Sequence, residues 1–276
     1  MLSQNENENE NNIMVTSSPP PPSAPASESP LKFLEGKNIF VFDTETTGLP
    51  DKCPNGWGSY WSYFMNEKYE NARIVSIAWS TIHNFHKDKI NVRNTPTTEN
   101  TPNTPNTPTT SRPQTIVEHY LRYPEGFTEI NNSHIHGIKY EDVVNDGVLF
   151  NDLLLNKGLC LDILKSDYII AHNINFDYHV LMNELYRLST EHAKACMLHL
   201  NTLKSKGRFI CTGELTTDIC KMEFKTVSTY KGNKKTKRYK MPKLSELYVY
   251  YYGREFENQH SADGDVKALL EIISRI

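Results

Sequence analysis

The chain has no apolar run long enough to cross a membrane, and almost no net charge. Its 276 residues carry 30 Lys and Arg against 33 Asp and Glu, a formal net charge of −3. No stretch approaches the roughly 18 apolar residues of a membrane span. The Asn- and Glu-rich amino terminus lacks the basic-then-apolar layout of a secretory signal. The sequence therefore predicts a soluble, intracellular protein with no membrane partner, and any footprint for nucleic acid must be local.

Cysteine is scarce and not arranged as a framework. The five cysteines are odd in number and form no Cys-x-x-Cys pair, which favours reduced thiols over disulfides. His192, Cys196 and His199 have helical spacing and, with Cys211, leave a zinc site open as a minor alternative.

Two segments lack the residues of a packed core. Residues 1–30 are polar and then Pro- and Ser-rich, and residues 94–113 are dominated by Asn-Thr-Pro repeats. Such segments bury too little apolar surface to offset the entropy of ordering them, so both are predicted to be disordered. The length and patterns of the remaining residues, 31–276, predict one α/β domain that is interrupted by the insertion.

The first patterned stretch is Ile39-Phe40-Val41-Phe42, an apolar run typical of a buried strand. Asp43 and Glu45 follow it, two residues apart, and so point to the same side of the strand. Carboxylates that close repel each other, so such a pair favours a bound cation or a raised pKa. The alternative is a solvated strand end whose acids pair with nearby Lys or Arg.

The remaining patterns complete a mixed α/β domain with one long insertion. Further strands are predicted at 72–79, 84–92, 115–121 and 168–171, and helices within 139–164, at 175–188, from 244 to Gly253, and from near Asp263. Asn175 is the predicted N-cap of the second of these helices, which places Asp177 in its first turn. Asp265 falls in the first turn of the last helix, and His260 lies on the loop before it.

These acids occur within a recognisable set of motifs. The sequence resembles the DEDDh branch of the 3′-to-5′ exonucleases, a proofreading-exonuclease family with an RNase H-like fold. The resemblance covers about residues 37–276 apart from the insertion. It rests on the segments Asp43-Thr44-Glu45-Thr46-Thr47-Gly48, His136-Gly137-Ile138, His172-Asn173 with Phe176-Asp177, and His260 with Asp265. The sister branch has a Tyr where this chain has Ser261, so the His branch matches better.

The resemblance implies a mixed β-sheet flanked by helices and a two-metal phosphodiesterase site. Asp43 would bridge two Mg²⁺ or Mn²⁺ ions, Glu45 and Asp265 would hold one of them, and Asp177 would bind largely through water. His260 would be the general base, since histidine suits proton abstraction near neutral pH.

The resemblance also implies contacts with a single-stranded nucleic-acid 3′ end, with DNA favoured over RNA. These contacts would come from Thr46, Thr47, Gly48, Leu49, His136, Ile138 and Asn173. The products would be nucleoside monophosphates. A polymerase or another replication or repair protein is a possible partner, since no polymerase domain is present in these residues.

Several features allow other interpretations. The aromatics of residues 51–70 are candidates to stack on bases, but a small satellite core is at least as good an explanation. The basic stretch from Lys231 to Lys240 is either a phosphate-tracking loop or a solvated one. The competing functions are a catalytically inactive nucleic-acid-binding module on the same fold, an RNA-processing exoribonuclease, and an interaction protein acting through its Pro-rich tail.

Overall fold

A computed structural model of the chain describes residues 29–56, 58–92, 115–223 and 239–276. Its sheet has the strand order β3-β2-β1-β4-β5. The strands are β1 (Ile39–Thr46), β2 (Ile74–Ile82), β3 (Glu118–Leu121), β4 (Tyr168–Ala171) and β5 (Phe209–Cys211). β1 pairs antiparallel with β2 and parallel with β4, β2 pairs antiparallel with β3, and β4 pairs parallel with β5. The predicted mixed sheet is confirmed.

Helices cover both faces of this sheet. They are α1 (Ser133–His136), α2 (Tyr140–Asp146), α3 (Phe150–Leu155), α4 (Leu159–Lys165), α5 (Ile174–Leu188), α6 (Glu191–Ser205), α7 (Thr212–Cys220), α8 (Leu244–Tyr252) and α9 (Ala262–Arg275). α3 to α6 pack on one face and α8 and α9 on the other. Among the described residues, no helix is both long and apolar enough to cross a membrane.

The alternation of side chains along β1 determines on which face of the sheet each acid lies. Phe40 and Phe42 are buried in the core on the α5 side, while Ile39 and Val41 are buried against α9. Because side chains alternate along a strand, Asp43 continues the row of Ile39 and Val41 and points to the α9 side. The central strand therefore ends with its acids facing the helix that carries Asp265.

Some predicted elements are wrong, and others are missing from the prediction. Residues 84–92 form no strand; the chain there makes a short 3₁₀ turn at Lys87–Lys89, and the third strand is Glu118–Leu121. Helix α5 begins one residue earlier than predicted and is capped by Asn173 in the left-handed conformation, not by Asn175. Strand β5 was not predicted, because a three-residue strand carries too little periodicity to be seen. Helices α6 and α7 are also missing from the prediction.

A buried ion cluster fastens α5 to the sheet. The Glu184 carboxylate accepts hydrogen bonds from Arg73 Nε at 2.8 Å, from Arg122 Nη1 at 3.0 Å and from the Ile74 backbone N–H at 3.1 Å. All three side chains that carry charge are at most 5 % exposed. Because Asp177 lies seven residues before Glu184 on the same helix, the cluster also sets the position of that acid.

The predicted tail at 1–30 lies outside the described residues apart from its last two positions, and the insertion at 94–113 lies wholly outside them. Most of the basic stretch is also outside; of its residues only Tyr239 and Lys240 are described. Lys240 pairs with the carboxylate of Glu246 on α8.

Candidate active site

Three carboxylates from opposite ends of the chain meet at the end of β1. Single oxygens of Asp43, Glu45 and Asp265 lie within 4.8 Å of one another. They belong to an open pocket of about 290 Å³, whose lining residues are Asp43, Thr44, Glu45, His172, Asn173, Phe176, Asp177, Leu244, His260 and Asp265. The structure thus gathers the four predicted acids and the predicted His around one cavity.

Asp177 approaches from the opposite face of the sheet. Its Oδ1 accepts hydrogen bonds from the Thr44 backbone N–H at 3.1 Å and from the Thr44 hydroxyl at 2.7 Å. Thr44 stands between Asp43 and Glu45 and, by alternation, points towards α5. The same strand end therefore presents two acids on one side and holds a third acid from the other.

All four carboxylates of the pocket have a raised pKa. Burial is the largest cause for each of them. It holds the pKa of Asp43 well above its usual range, helped by the charges of Asp177, Asp265 and Glu45. The pKa of Glu45 rises to about 8, from burial and then from Asp265 and Asp177. The pKa values of Asp177 and Asp265 both rise to about 7, although hydrogen bonds from Thr44 and from the His260 backbone oppose those shifts.

The donor set fits a hard divalent cation. Asp265 Oδ1 is buried and has no hydrogen-bond partner among the described residues, whereas the His260 backbone N–H donates to the same carboxylate. An unpaired buried carboxylate oxygen next to two more carboxylates is costly unless a cation neutralises it. Oxygen-only ligands are those that Mg²⁺ and Mn²⁺ prefer.

His260 lies exposed on the pocket rim because of its backbone. Its φ of 62° is in the left-handed region, which is uncommon for a residue other than glycine, and Asn258 two residues before it has a φ of 56°. The Ser261 backbone N–H and hydroxyl both donate to the Asn258 carbonyl, which closes this turn. The Ser261 hydroxyl also accepts from the Gly264 N–H and caps α9. Cap and turn together hold His260 at the pocket that Asp265 also lines.

Replacing Gly264 with alanine should disturb this turn more than it disturbs the fold. A Cβ at Gly264 would lie 2.2 Å from the Asn258 backbone oxygen, so the turn that carries His260 must move. We expect Gly264→Ala to lower kcat for the phosphodiester hydrolysis that the resemblance implies by at least about tenfold. Displacing a catalytic group by about 1 Å is enough to slow a reaction by that factor or more. The comparison is Gly158→Ala at the start of α4, which has a positive φ but open space around it. Equal kcat losses in the two variants would contradict the proposed positioning.

The turn after β1 is held by one hydrogen bond within it and by others to neighbouring segments. Thr46 Oγ1 donates to the Gly48 carbonyl at 2.7 Å, and the Thr47 backbone N–H donates to the Arg73 carbonyl at 2.8 Å. The Ile138 N–H donates to His136 Nδ1 at 3.1 Å, so the protonated Nε2 of that ring donates to the Thr46 carbonyl. These backbone groups are already engaged, and contacts between them and a nucleotide remain a prediction.

The other residues predicted to contact the substrate differ in their exposure and in their distance from the pocket. The Leu49 side chain is 68 % exposed, whereas Ile138 packs against the small core of Val75, Phe127 and Val143. Asn173 lines the pocket. Gly48 has a steric role of its own, because a Cβ there would lie 2.6 Å from the Asn71 carbonyl oxygen.

Several residues in or beside the pocket were not predicted. Thr44 and Phe176 stand inside recognised motifs, so the sequence could have indicated them as pocket residues, whereas Leu244 lies on α8, far along the chain. Tyr60 is one of the aromatics of residues 51–70 that were candidates to stack on bases. His172 Nε2 donates to the Pro242 carbonyl and Nδ1 accepts from the Thr212 hydroxyl, both at 2.9 Å. Burial lowers the pKa of His172 to about 4, which keeps the ring neutral.

The zinc alternative has no support in the described residues. His199 Nε2 contacts the Ser166 carbonyl at 3.0 Å, and the Cys196 thiol lies 3.2 Å from that of Cys160. The only group in the described ranges with metal-ligand geometry is Asp43, Glu45 and Asp265.

Comparison with known proteins finds similarity at the level of structure. No family model matches the chain, and no curated protein matches its sequence. A crystal structure of Escherichia coli exonuclease I with a dT13 oligonucleotide matches with a TM-score of 0.52 and 14 % identity. The zinc-bound form of the E. coli exonuclease I–single-stranded DNA complex has a TM-score of 0.51 and 14 % identity. Exonuclease I from Methylocaldum szegediense has a TM-score of 0.50 and 12 % identity.

Each of these matches covers 87 % of this chain and 40 % of the other protein. The chain therefore spans about two fifths of their length, and identities this low show shared architecture only. The fold is RNase H-like. In this RNase H-like fold, the four acids lie at the end of the central strand and on the two helices, α5 and α9, that face it.

Proposed function

We propose that the chain is a metal-dependent 3′-to-5′ exonuclease that shortens single-stranded nucleic acid, DNA in preference to RNA, and releases nucleoside monophosphates. The observation that carries this is the convergence of four mutually repelling carboxylates and an exposed imidazole on one open pocket. The DNA oligonucleotides in the matched exonuclease I structures support a DNA substrate. A polymerase or repair partner stays a prediction.

The roles of the carboxylates are those that the family resemblance implies. Asp43 would be shared by two Mg²⁺ or Mn²⁺ ions, with Glu45 and Asp265 holding one of them and Asp177 contributing through water. Bound there, the ions supply charge neutralisation and a more acidic water. Thr44 donates two hydrogen bonds to the Asp177 carboxylate and so fixes its orientation at the pocket.

His260 is the general base in this proposal. Its side chain lies on the rim, where it can take a proton from the attacking water and release it to solvent. The left-handed backbone places this side chain next to Asp265, whose carboxylate accepts the His260 backbone N–H. Replacing the His260 side chain should therefore leave the positions of the four carboxylates unchanged.

His260→Ala should lower the rate of hydrolysis by about 10²–10⁴-fold, the usual contribution of a positioned base. The assay follows a 5′-labelled single-stranded DNA in Mg²⁺, in which 3′ shortening gives a ladder of products. His192→Ala, on the exposed start of α6, is the matched control and should keep wild-type activity. An unchanged rate in His260→Ala would contradict its role as base.

Chelation and substrate choice test the remaining parts of the proposal. EDTA should abolish hydrolysis, and Mg²⁺ or Mn²⁺ should restore it. Matched DNA and RNA oligonucleotides, single- and double-stranded, should show the fastest degradation for single-stranded DNA. Faster degradation of RNA would identify an exoribonuclease instead, and binding of DNA with no degradation in either metal would identify an inactive module.

A further inference from the structure

The aromatic residues between β1 and β2 have two different environments. Trp61 and Tyr63 pack against the main core, and Tyr69 is fully buried, as expected for a satellite core. Tyr60 instead lies beside the pocket. The side chains of Asn173 and Asp177 are close enough to its hydroxyl to affect its ionisation.

Tyr60 forms a continuous aromatic surface with α5. Its ring stacks on His179 with a centroid distance of 4.9 Å and an interplanar angle of 22°, and it lies 6.4 Å from Phe176. Phe176 lines the pocket, and His179 is three residues further along the same face of the helix. We call Tyr60, Phe176 and His179 the aromatic platform. All three are half-buried, so each keeps surface open to solvent.

A cation stands at the far end of this platform. Lys204 Nζ lies 3.6 Å from the centre of the Tyr178 ring, and Tyr178 meets His179 edge-on at 4.9 Å. None of the described carboxylates pairs with Lys204. A half-buried ammonium with no acidic partner, next to a row of aromatic rings, has the chemistry that recognises a phosphate of a single strand whose bases stack.

The platform is rigidly attached. Asn183 Nδ2 donates to the Tyr63 carbonyl at 2.8 Å, and Arg187 Nη2 donates to the Asn66 carbonyl at 2.7 Å. The segment that carries Tyr60 is therefore fastened to α5 along its length. His179 is held as well, since its Nδ1 donates to the Asn175 carbonyl at 2.6 Å. Rings fixed in advance lose little entropy when a base stacks on them.

We propose that the aromatic platform and Lys204 bind the nucleotides that precede the terminal one on a single-stranded substrate. Bases extend the Tyr60–His179 stack, and a backbone phosphate contacts Lys204. The inference rests on the proposed exonuclease function, because it takes the pocket as the site of the 3′ end. It assigns to the segment between β1 and β2 a role in selecting single strands, since paired bases cannot offer their faces to the platform.

The test compares substrates by length. We expect wild-type kcat/KM to rise from a dinucleotide to an octanucleotide, because only the longer strand reaches the platform. Tyr60→Ala and His179→Ala should each lower the ratio of octanucleotide to dinucleotide kcat/KM about tenfold, mainly through KM for the octanucleotide. Tyr60→Phe keeps the ring and should retain most of this ratio.

The matched control is Phe64→Ala. Phe64 belongs to the same segment and is 53 % exposed, but its ring meets Tyr186, about 15 Å along α5 from Phe176 at 1.5 Å per residue. Phe64→Ala should leave the activity unchanged, and also the ratio of octanucleotide to dinucleotide kcat/KM. Lys204→Gln tests the cation separately, because it should reduce the slope of log affinity against log salt by about one.

The outcomes separate the two proposals. An active wild type whose length ratio is the same in Tyr60→Ala, His179→Ala and Lys204→Gln would overturn the platform and leave the exonuclease intact. An inactive wild type would overturn the exonuclease; the platform is then judged by fluorescence anisotropy with labelled dT2 and dT8. Tighter binding of dT8 that is lost in His179→Ala would support the platform, and length-independent binding would overturn it. Should Tyr60→Ala not fold, His179→Ala and Lys204→Gln decide alone.

Discussion

Asp43→Asn should abolish metal-dependent hydrolysis and, at the same time, stabilise the metal-free protein at pH 8. The loss of activity is expected to be about 10³-fold or more, since several kcal/mol of charge stabilisation depend on the ions. The gain in stability has a different cause, because without a metal ion the Asp43 carboxylate destabilises the folded protein. Desolvation, and then the charges of Asp177, Asp265 and Glu45, disfavour the ionised form of Asp43 in the folded protein, and an amide that cannot ionise avoids this cost.

The pH dependence follows from the direction of the shifts. A carboxyl whose pKa is higher in the folded than in the unfolded protein binds protons more tightly when folded, so stability falls as pH rises between the two values. Unfolded carboxyls titrate near 4, whereas the folded pKa values are about 7 for Asp177 and Asp265 and about 8 for Glu45. The metal-free protein should therefore lose stability between about pH 4 and pH 8, and Asp43→Asn should lose less.

Thermal unfolding in EDTA and in Mn²⁺ measures both effects. At pH 8 in EDTA we expect Asp43→Asn to be more stable than wild type by about 1–3 kcal/mol, with the difference shrinking towards pH 5. Mn²⁺ should raise the Tm of wild type and raise that of the variant much less. Asp146→Asn, an exposed carboxyl on α2, should follow wild type under every condition. A destabilised Asp43→Asn in EDTA at pH 8 would contradict the inferred repulsion among the buried acids.

Glu184→Ala should destabilise the protein by about 3–5 kcal/mol. The substitution leaves the guanidinium groups of Arg73 and Arg122 buried without their shared counter-ion, and it removes the acceptor of the Ile74 N–H. Burial by itself would raise the pKa of Glu184, but the charge of Arg122 and the hydrogen bond and charge of Arg73 outweigh it and hold that pKa below its usual range. The contribution of this carboxylate is therefore present above about pH 4.5 and lost as pH falls through its folded pKa.

Urea unfolding at pH 7 is the direct measurement, with the midpoint reporting stability while the m value is unchanged. Glu191→Ala is the matched control. Glu191 also pairs with a cation, Lys194 at 2.7 Å, but its side chain is 86 % exposed to solvent, so Glu191→Ala should leave the urea midpoint almost unchanged. Similar losses in the two variants would contradict the role given to the buried cluster. Because Asp177 is on the same helix, we also expect Glu184→Ala to lower activity below its unfolding temperature.

Local patterns were sufficient for much of the scaffold. The apolar run before Asp43, the four-residue strand Tyr168–Ala171 and the helical spacing after Asn173 all appear in the structure as predicted, to within a few residues. Alternation along β1 explains why Asp43 and Thr44 reach opposite faces of the sheet. The prediction failed at residues 84–92, where apolar residues recur without a pairing partner and the chain forms only a 3₁₀ turn. A strand needs a neighbour, and no local pattern supplies one.

By itself, the sequence determined the residue types at the site and, to within a few residues, the extent of the elements that carry them, because caps, turns and periodicity act over a few residues. Only the tertiary structure decided which residues meet. It brings Asp265 within 4.8 Å of Asp43, buries Glu184 between two arginines from other segments, and sets Tyr60 beside Asp177. These contacts join positions far apart in the chain, so they depend on the register of the sheet and the packing of α5 and α9, not on any local preference. The raised pKa values of the acids, which favour a cation, arise only from that convergence.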